Sequence, residues 1–251
     1  MVKEAIERLK HIRTSQHSPR KLVSLINVKL AISYLLRITL ILAVVGAVWK
    51  HQWLTAFLTV LILGLTFLPS LIAKNYRFMI PSSLELSINI FIYAALFLGE
   101  IHSYYYKFWW WDIALHTGSG IIMGFIGFLL VYILNQEPKV KLRIGAGLMA
   151  IFAFTFAVTL GVFWEIFEFY MDMFFGLVMQ RGSLIDTMWD LIVDMIGAAA
   201  IALVGYVYIK RGREDYIFNR IILTFIKQNF WWFDKKRKGR NSKKRLNKKK
   251  N

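Results

Sequence analysis

Apolar residues run through this chain in long blocks separated by short polar links. Six windows are apolar over most of their length: Ala31–Trp49, Trp53–Ala73, Leu84–Leu98, Ile113–Leu134, Ile144–Phe163 and Thr187–Ile209. A bilayer core of about 30 Å takes about 20 such residues in a helix, and a helix satisfies all its own backbone groups there. The pattern therefore predicts an all-α fold, a polytopic membrane bundle of six transmembrane helices. The third window is the most polar, with Glu85 and Asn89 near its start. The fifth can run on through Trp164-Glu165-Ile166-Phe167-Glu168-Phe169-Tyr170, which leaves its outer boundary open.

Composition agrees with the blocks. Of 251 residues, 57% are hydrophobic and 19% charged, against 45–50% and about 25% in an average soluble domain. There is no cysteine, which excludes disulfides, iron–sulfur clusters and thiolate-bound zinc. The net charge of +17 is concentrated at the ends of the chain. Residues 210–251 hold 16 Lys/Arg against 3 Asp/Glu, a net +13.

Charge in the short loops sets orientation. Lys3, Arg8, Lys10, Arg13, Arg20, Lys21 and Lys29 precede the first window, Lys74 and Arg77 follow the second, and Lys139, Lys141 and Arg143 follow the fourth. The opposite loops carry only Lys50, Lys107 and Arg181. Both termini are thus expected in the cytoplasm of a cell whose plasma or inner membrane holds the protein. Residues 1–30 read as a basic amphipathic segment ahead of a retained first helix rather than a cleaved signal. Residues 31–209 form the six-span domain, 210–234 an interfacial aromatic and basic segment, and 235–251 a disordered polybasic tail. The tail and both amphipathic segments fit anionic inner-leaflet lipid; no nucleic-acid partner is expected.

Ionisable groups inside the windows are costly, so their depth matters. Arg37 and Glu85 fall near the cytoplasmic end, to pair or to reach the headgroups separately. Glu100, Asp112, His116, Glu165, Glu168, Asp172, Asp186, Asp190 and Asp194 all fall at or near the outer ends of windows three to six. Asp112 and His116 are spaced i,i+4, Glu165 and Glu168 i,i+3, and Asp186, Asp190 and Asp194 form an i, i+4, i+8 stripe, each set sharing one helical face. Asp194 lies about 12 Å deeper than Asp186 at the α-helical rise, where a carboxylate needs a cation, a donor or a proton. Two solutions fit. A divalent metal (Mn, Mg, Fe or Zn) held by Asp112, His116, Glu165, Glu168, Asp190 and Asp194 is one. A relay of protonated carboxylates with His116, Ser119 or Thr117 is the other. Asp186 is also placed to cap the sixth helix. Glu100, Asp172, Arg181, Asp186, Ser119 and Trp111 make a wider set of substrate-binding candidates. Trp109, Trp110 and Trp111 with Tyr104, Tyr105 and Tyr106 suit an interfacial aromatic belt or a platform for a sugar or headgroup. Gly118, Gly120, Gly124 and Gly127, with Gly197-Ala198-Ala199-Ala200, suit close packing of the fourth helix on the sixth, which would bring His116 near Asp190 and Asp194. An intramembrane serine protease is excluded, because no histidine follows His116 to act as base for Ser119.

The runs Phe108-Trp109-Trp110-Trp111-Asp112-Ile113-Ala114-Leu115-His116-Thr117-Gly118-Ser119-Gly120, Trp164-Glu165-Ile166-Phe167-Glu168-Phe169, and Asp186-Thr187 followed by Asp190, Asp194, Gly197 and Ala198 resemble the YjdF-like family of bacterial inner-membrane proteins, over about residues 80–208. A more distant similarity is to VanZ-like proteins, whose pattern is echoed by Asp112, His116, Glu165 or Glu168, Arg181, Ser183, Asp190, and Asp194 with Gly197-Ala198. The chain departs from that pattern with Asp194 in place of Asn and Glu168 in place of Gln, which adds negative charge. The second resemblance implies a cell-envelope role connected with resistance to lipoglycopeptide antibiotics. The sequence thus leads to a multi-pass envelope protein with an outward-facing carboxylate/His pocket that binds a divalent metal and meets a lipid or lipid-linked substrate. A cation- or proton-coupled transporter and a non-catalytic ligand-binding or resistance protein are the alternatives, and enzyme activity stays open.

Overall fold

The computed structural model describes residues 19–75, 78–136, 144–176, 179–180, 183–211 and 216–229. Every regular element among them is helical. Six stretches are long and apolar enough to cross a membrane: Val28–Trp49, Trp53–Asn75, Ser82–Ile101, Trp111–Asn135, Ala146–Phe174 and Leu184–Lys210. The segment Met1–Arg13, the loop cations Arg77, Lys139, Lys141, Arg143 and Arg181, the run Phe230–Phe233 and the tail Lys235–Asn251 lie outside the described residues.

Helix α1 (Pro19–Trp49) turns tightly into α2 (Trp53–Leu65), which continues as α3 (Leu68–Asn75) after a break at Thr66 and Phe67. Pro69 follows the break and cannot supply a helical N–H. Arg37 of α1 serves it: Nη2 donates to the Thr66 carbonyl at 2.9 Å and Nε to the Thr66 hydroxyl at 3.2 Å. The guanidinium also lies over the Phe67 ring, 4.0 Å from its centroid. Arg37 is therefore turned onto an interrupted helix, not outward to headgroups, because a broken helix in hydrocarbon needs donors from its neighbours. Glu85, the partner considered for it, accepts from Ser70 Oγ at 2.6 Å instead.

The third span combines α4 (Ser82–Ile92) with a π-helix over Tyr93–Ile101. The short α5 (Tyr104–Lys107) leads into α6 (Trp111–Gln136), α7 (Ala146–Phe175), α8 (Leu184–Lys210) and α9 (Tyr216–Gln228). The fifth span takes the longer of its two readings. Its 30 residues extend about 45 Å, so Glu165 and Glu168 stay helical well beyond Phe163.

Side-chain pairings give the topology. Leu40 meets Ile62 and Phe97, and Gly161 faces Asp194 while Gly127 faces Phe156. Spans four and six run parallel, and span five runs against both. The start of α1 and the end of α8 share one end of the bundle, termed the base. The turns after α1, the third span and α7 share the other, termed the crown.

Spans four and six touch backbone to backbone. A Cβ on Gly197 would fall on the Thr117 carbonyl oxygen, and one on Gly120 would meet the Asp194 carbonyl and, at 3.0 Å, the Ala198 nitrogen. Small residues permit this approach, and membrane helices associate through such contact. At the base, Phe128, Tyr132, Met149 and Tyr208 form the main core, closed by Ile222, Phe225 and Ile226 of α9. The apolar face of α9 is thus turned onto the bundle. Asn229 fastens it there: Oδ1 accepts from Met79 N at 2.6 Å and Nδ2 donates to Met79 O at 2.8 Å.

Three outcomes are expected. Gly120→Leu forces α6 off α8 and lowers the thermal unfolding midpoint in detergent, an overpacking cost of about 1–3 kcal/mol. Gly64→Leu, which meets open space, leaves the midpoint unchanged. Asn229→Ala unlatches α9, and hydrogen–deuterium exchange should rise several-fold across residues 221–229 without rising in α6.

Candidate functional site

The crown end of α6 starts where Trp111 packs edge-on against Tyr104, with ring centroids 5.0 Å apart. That start puts Asp112 in the first turn and His116 one turn deeper, with His116 Nε2 3.5 Å from Asp112 Oδ1. The Gly120 and Gly197 contact then sets α8 alongside at a fixed register. Asp194 Oδ2 comes 3.2 Å from His116 Nδ1, and Asp190 Oδ1 lies 3.9 Å from His116 Nε2. From α7, Glu165 Oε1 lies 3.9 Å from Nδ1. One imidazole is thereby addressed by four carboxylates from three helices, two at each ring nitrogen.

Burial makes this arrangement consequential. His116, Glu165, Glu168, Asp190 and Asp194 are each at most 9% exposed, and buried charges are rarely left uncompensated. The hydroxyl of Ser119 is within hydrogen-bond reach of Asp194 Oδ1 and lies 2.8 Å from the His116 carbonyl. Gly161 has no side chain because a Cβ there would stand 2.7 Å from Asp194 Oδ2. Glu168 accepts from Trp164 Nε1 at 2.8 Å. Glu165 receives Gln180 Nε2 at its carbonyl (3.1 Å) and at Oε2 (3.4 Å). Its other oxygen, Oε1, is buried without a hydrogen-bond partner, as is Trp111 Nε1. Lys107, the nearest described lysine in the chain, donates to the His102 carbonyl at 2.7 Å.

The structure divides the sequence-derived candidates. Asp112, His116 and Asp190 offer ligand atoms within 4.8 Å of one another, a group that can hold a metal ion. Asp194 and Glu165 lie at the other ring nitrogen, Nδ1. Glu168 belongs to the same buried cluster through its tryptophan. Asp172 is used elsewhere, accepting from Met179 N (2.7 Å) and Gln180 N (3.0 Å) to shape the start of the turn after α7. Asp186 does not cap α8; Ser183 does, its Oγ accepting from Asp186 N at 3.4 Å. A hydroxyl one residue before the first helical turn is the ordinary capping arrangement. Glu100 is exposed at the end of the π-helix, and Arg181 lies outside the described residues.

Trp164, Gln180, Gly161 and Tyr105 were not among the site candidates of the sequence reading. The i,i+4 spacing of Trp164 and Glu168 was available as a signal; Gln180 and Gly161 carried none. Tyr105, read as part of a belt or of a headgroup platform, turns inward: its ring lies on Gly99, where a Cβ would come within 2.8 Å of Cζ. Burial pushes its phenol well above the ordinary tyrosine range, reinforced by Asp112 and then by Glu100, Glu168 and Asp190. It therefore remains a neutral hydroxyl beside the carboxylates.

The chain has a relative among known proteins. It is 32% identical over 126 residues to a Thermotoga maritima protein named "Uncharacterized protein", a match covering 50% of this chain and 62% of that relative. The matched region is thus less than two thirds of the relative's length. No solved structure matches. Residues 31–211, which hold all but the start of the first span and the whole carboxylate/His cluster, match a family profile, and the chain belongs to that family, described as "Predicted membrane protein (DUF2238)".

Proposed function

We propose that the crown cluster is a divalent-metal centre of a cell-envelope membrane protein, acting on a lipid or lipid-linked substrate. The observation that carries this reading is the division of labour around His116. Nε2 faces Asp112 and Asp190, while Nδ1 faces Asp194. A metal-binding histidine commonly gives its second ring N–H to a carboxylate, which sets its tautomer and orientation. In this reading Asp112, His116 Nε2 and Asp190 are the ligands, Asp194 orients the ring, and Ser119 holds Asp194. Glu165 Oε1, buried without a hydrogen-bond partner, faces Nδ1 beside Asp194 and adds negative charge there. The donor set suits Mn, Mg, Fe or Zn, oxygen-rich with one imidazole. Such an ion supplies Lewis acidity, activating water or polarising a phosphoryl or acyl oxygen.

Charge supports a cation. Asp112, Glu165, Asp190 and Asp194 surround a single imidazole, Glu168 is buried nearby, and Lys107 is engaged with a backbone carbonyl. The lysine and arginine bias of alternate loops supports cytoplasmic termini and an outward crown, with the basic tail on anionic inner-leaflet lipid. The YjdF-like resemblance agrees with the family membership, and the VanZ-like similarity adds the envelope context. A transporter is the second reading, favoured by Asn89, which is buried in the third span with both amide atoms unpartnered. Against it, the space on the base side of His116 is lined by Phe91, Met123 and Ala157, not by polar groups.

Protein purified in detergent and titrated with Mn2+ should bind about one ion per chain, read by elemental analysis and electron paramagnetic resonance. Asp112→Ala with His116→Ala should abolish binding. Ser119→Ala should weaken it roughly 10–100-fold, the usual effect of losing an outer hydrogen-bond partner. Wild-type protein without affinity for any of Mn, Mg, Fe or Zn would end the metal reading.

A further inference from the structure

Inward from His116 lies a cavity of about 300 Å3. Its polarity is graded along the bundle axis. At the crown end it meets Tyr105, His116, Ser119, Trp164 and Asp194; further in it meets Met123, Leu160, Ala157, Ala95 and Phe91. His116 to Met123 on α6 and Trp164 to Ala157 on the antiparallel α7 each span seven residues, about 10 Å. The polar and apolar ends therefore coincide on both helices. The volume matches that of about ten water molecules at roughly 30 Å3 each.

The walls have a further common property. The two spans that depart from regular α-helix both border this space. Leu65 and Leu68 flank the break between α2 and α3, while Ala95 and Leu96 belong to the π-helix. Ala95 and Ala157 are buried small residues facing the space. Water entering the inner part would find no hydrogen-bond partners on Met123, Leu160, Ala157 or Phe91. The surrounding solvent is hydrocarbon.

We infer that this cavity takes one hydrocarbon chain of a membrane lipid, threaded inward with its polar head at the His116 end. The site then receives an amphiphile, not a water-soluble substrate. The head contacts are the phenol of Tyr105 and the groups around His116. The chain's place rests on the lining alone; the head's partner rests on the metal reading above.

The two separate in one experiment. The protein is reconstituted in phosphatidylethanolamine/phosphatidylglycerol vesicles containing a phospholipid with a diazirine midway along one acyl chain. After illumination, crosslinked peptides are mapped by mass spectrometry. Labelling is expected at Met123, Leu160 and Leu96, besides the exposed Leu42 and Leu54 that any membrane lipid reaches. Ala157→Phe and, as a second variant, Ala95→Phe fill the space; each should cut the interior labels about tenfold and leave Leu42 and Leu54 unchanged. Asp112→Ala with His116→Ala should keep the interior labels, so a failed metal reading leaves this inference standing. Wild-type labelling confined to exposed residues overturns it whether or not either variant folds. So does interior labelling that is indifferent to both cavity-filling changes.

Discussion

The close approach of α6 and α8 is the constraint on which the rest depends. Two helices whose backbones meet at Thr117 and Gly197, and at Gly120 and Asp194, have no freedom to slide, because any side chain at either glycine would occupy a carbonyl's place. The register so set decides which polar groups meet. One step away from the contact, Ser119 reaches Asp194 and His116 reaches both Asp194 and Asp190. In a bilayer the attraction between helices is packing and hydrogen bonding, since lipid tails already satisfy apolar side chains. The glycine contact and the His–Asp contact therefore reinforce each other.

Their cooperation has an electrostatic consequence. A buried carboxylate is tolerable when it is paired, donated to or neutralised. Glu168 has an indole, Asp194 a hydroxyl and an imidazole, and Glu165 an amide on one oxygen. None of these donors but the imidazole can carry charge. A cluster built only for rigidity would be better served by apolar residues of similar size. Retaining this much negative charge beside one histidine is a cost that a bound cation or shared protons offset, which is why the cluster reads as a site.

How much of this was legible differed by the kind of signal. The spans follow from run length, because the thickness of the membrane imposes it; only boundaries shifted, as at Ser82, where serines and Glu85 dilute the apolar count. The pairing of Asp112 with His116 follows from the i,i+4 rule, and the small-residue faces pointed to the α6–α8 contact. What escaped were relations between segments distant in the chain. Nothing local directs Arg37 to Thr66, Gln180 to Glu165, or Tyr105 onto Gly99. Asp186 was read as a cap because its own type suits one, whereas Ser183, equally suited, stands where the helix begins.

The irregular helices complete the argument. A π-helix widens its turn and a proline-broken span changes direction, and each sacrifices regular bonding that would otherwise suit a bilayer. Here each irregularity is supported by a specific partner: Arg37 donates to the break at Thr66, and the Phe97 carbonyl accepts both His102 N (3.1 Å) and, from the ring, a contact at 3.0 Å with Nδ1. Both irregular spans border the apolar space at the side of His116 that faces the membrane interior. The carboxylate cluster and the cavity thus adjoin in one arrangement: parallel helices α6 and α8 fixed by glycine, and two neighbouring irregular spans that line the space beside them.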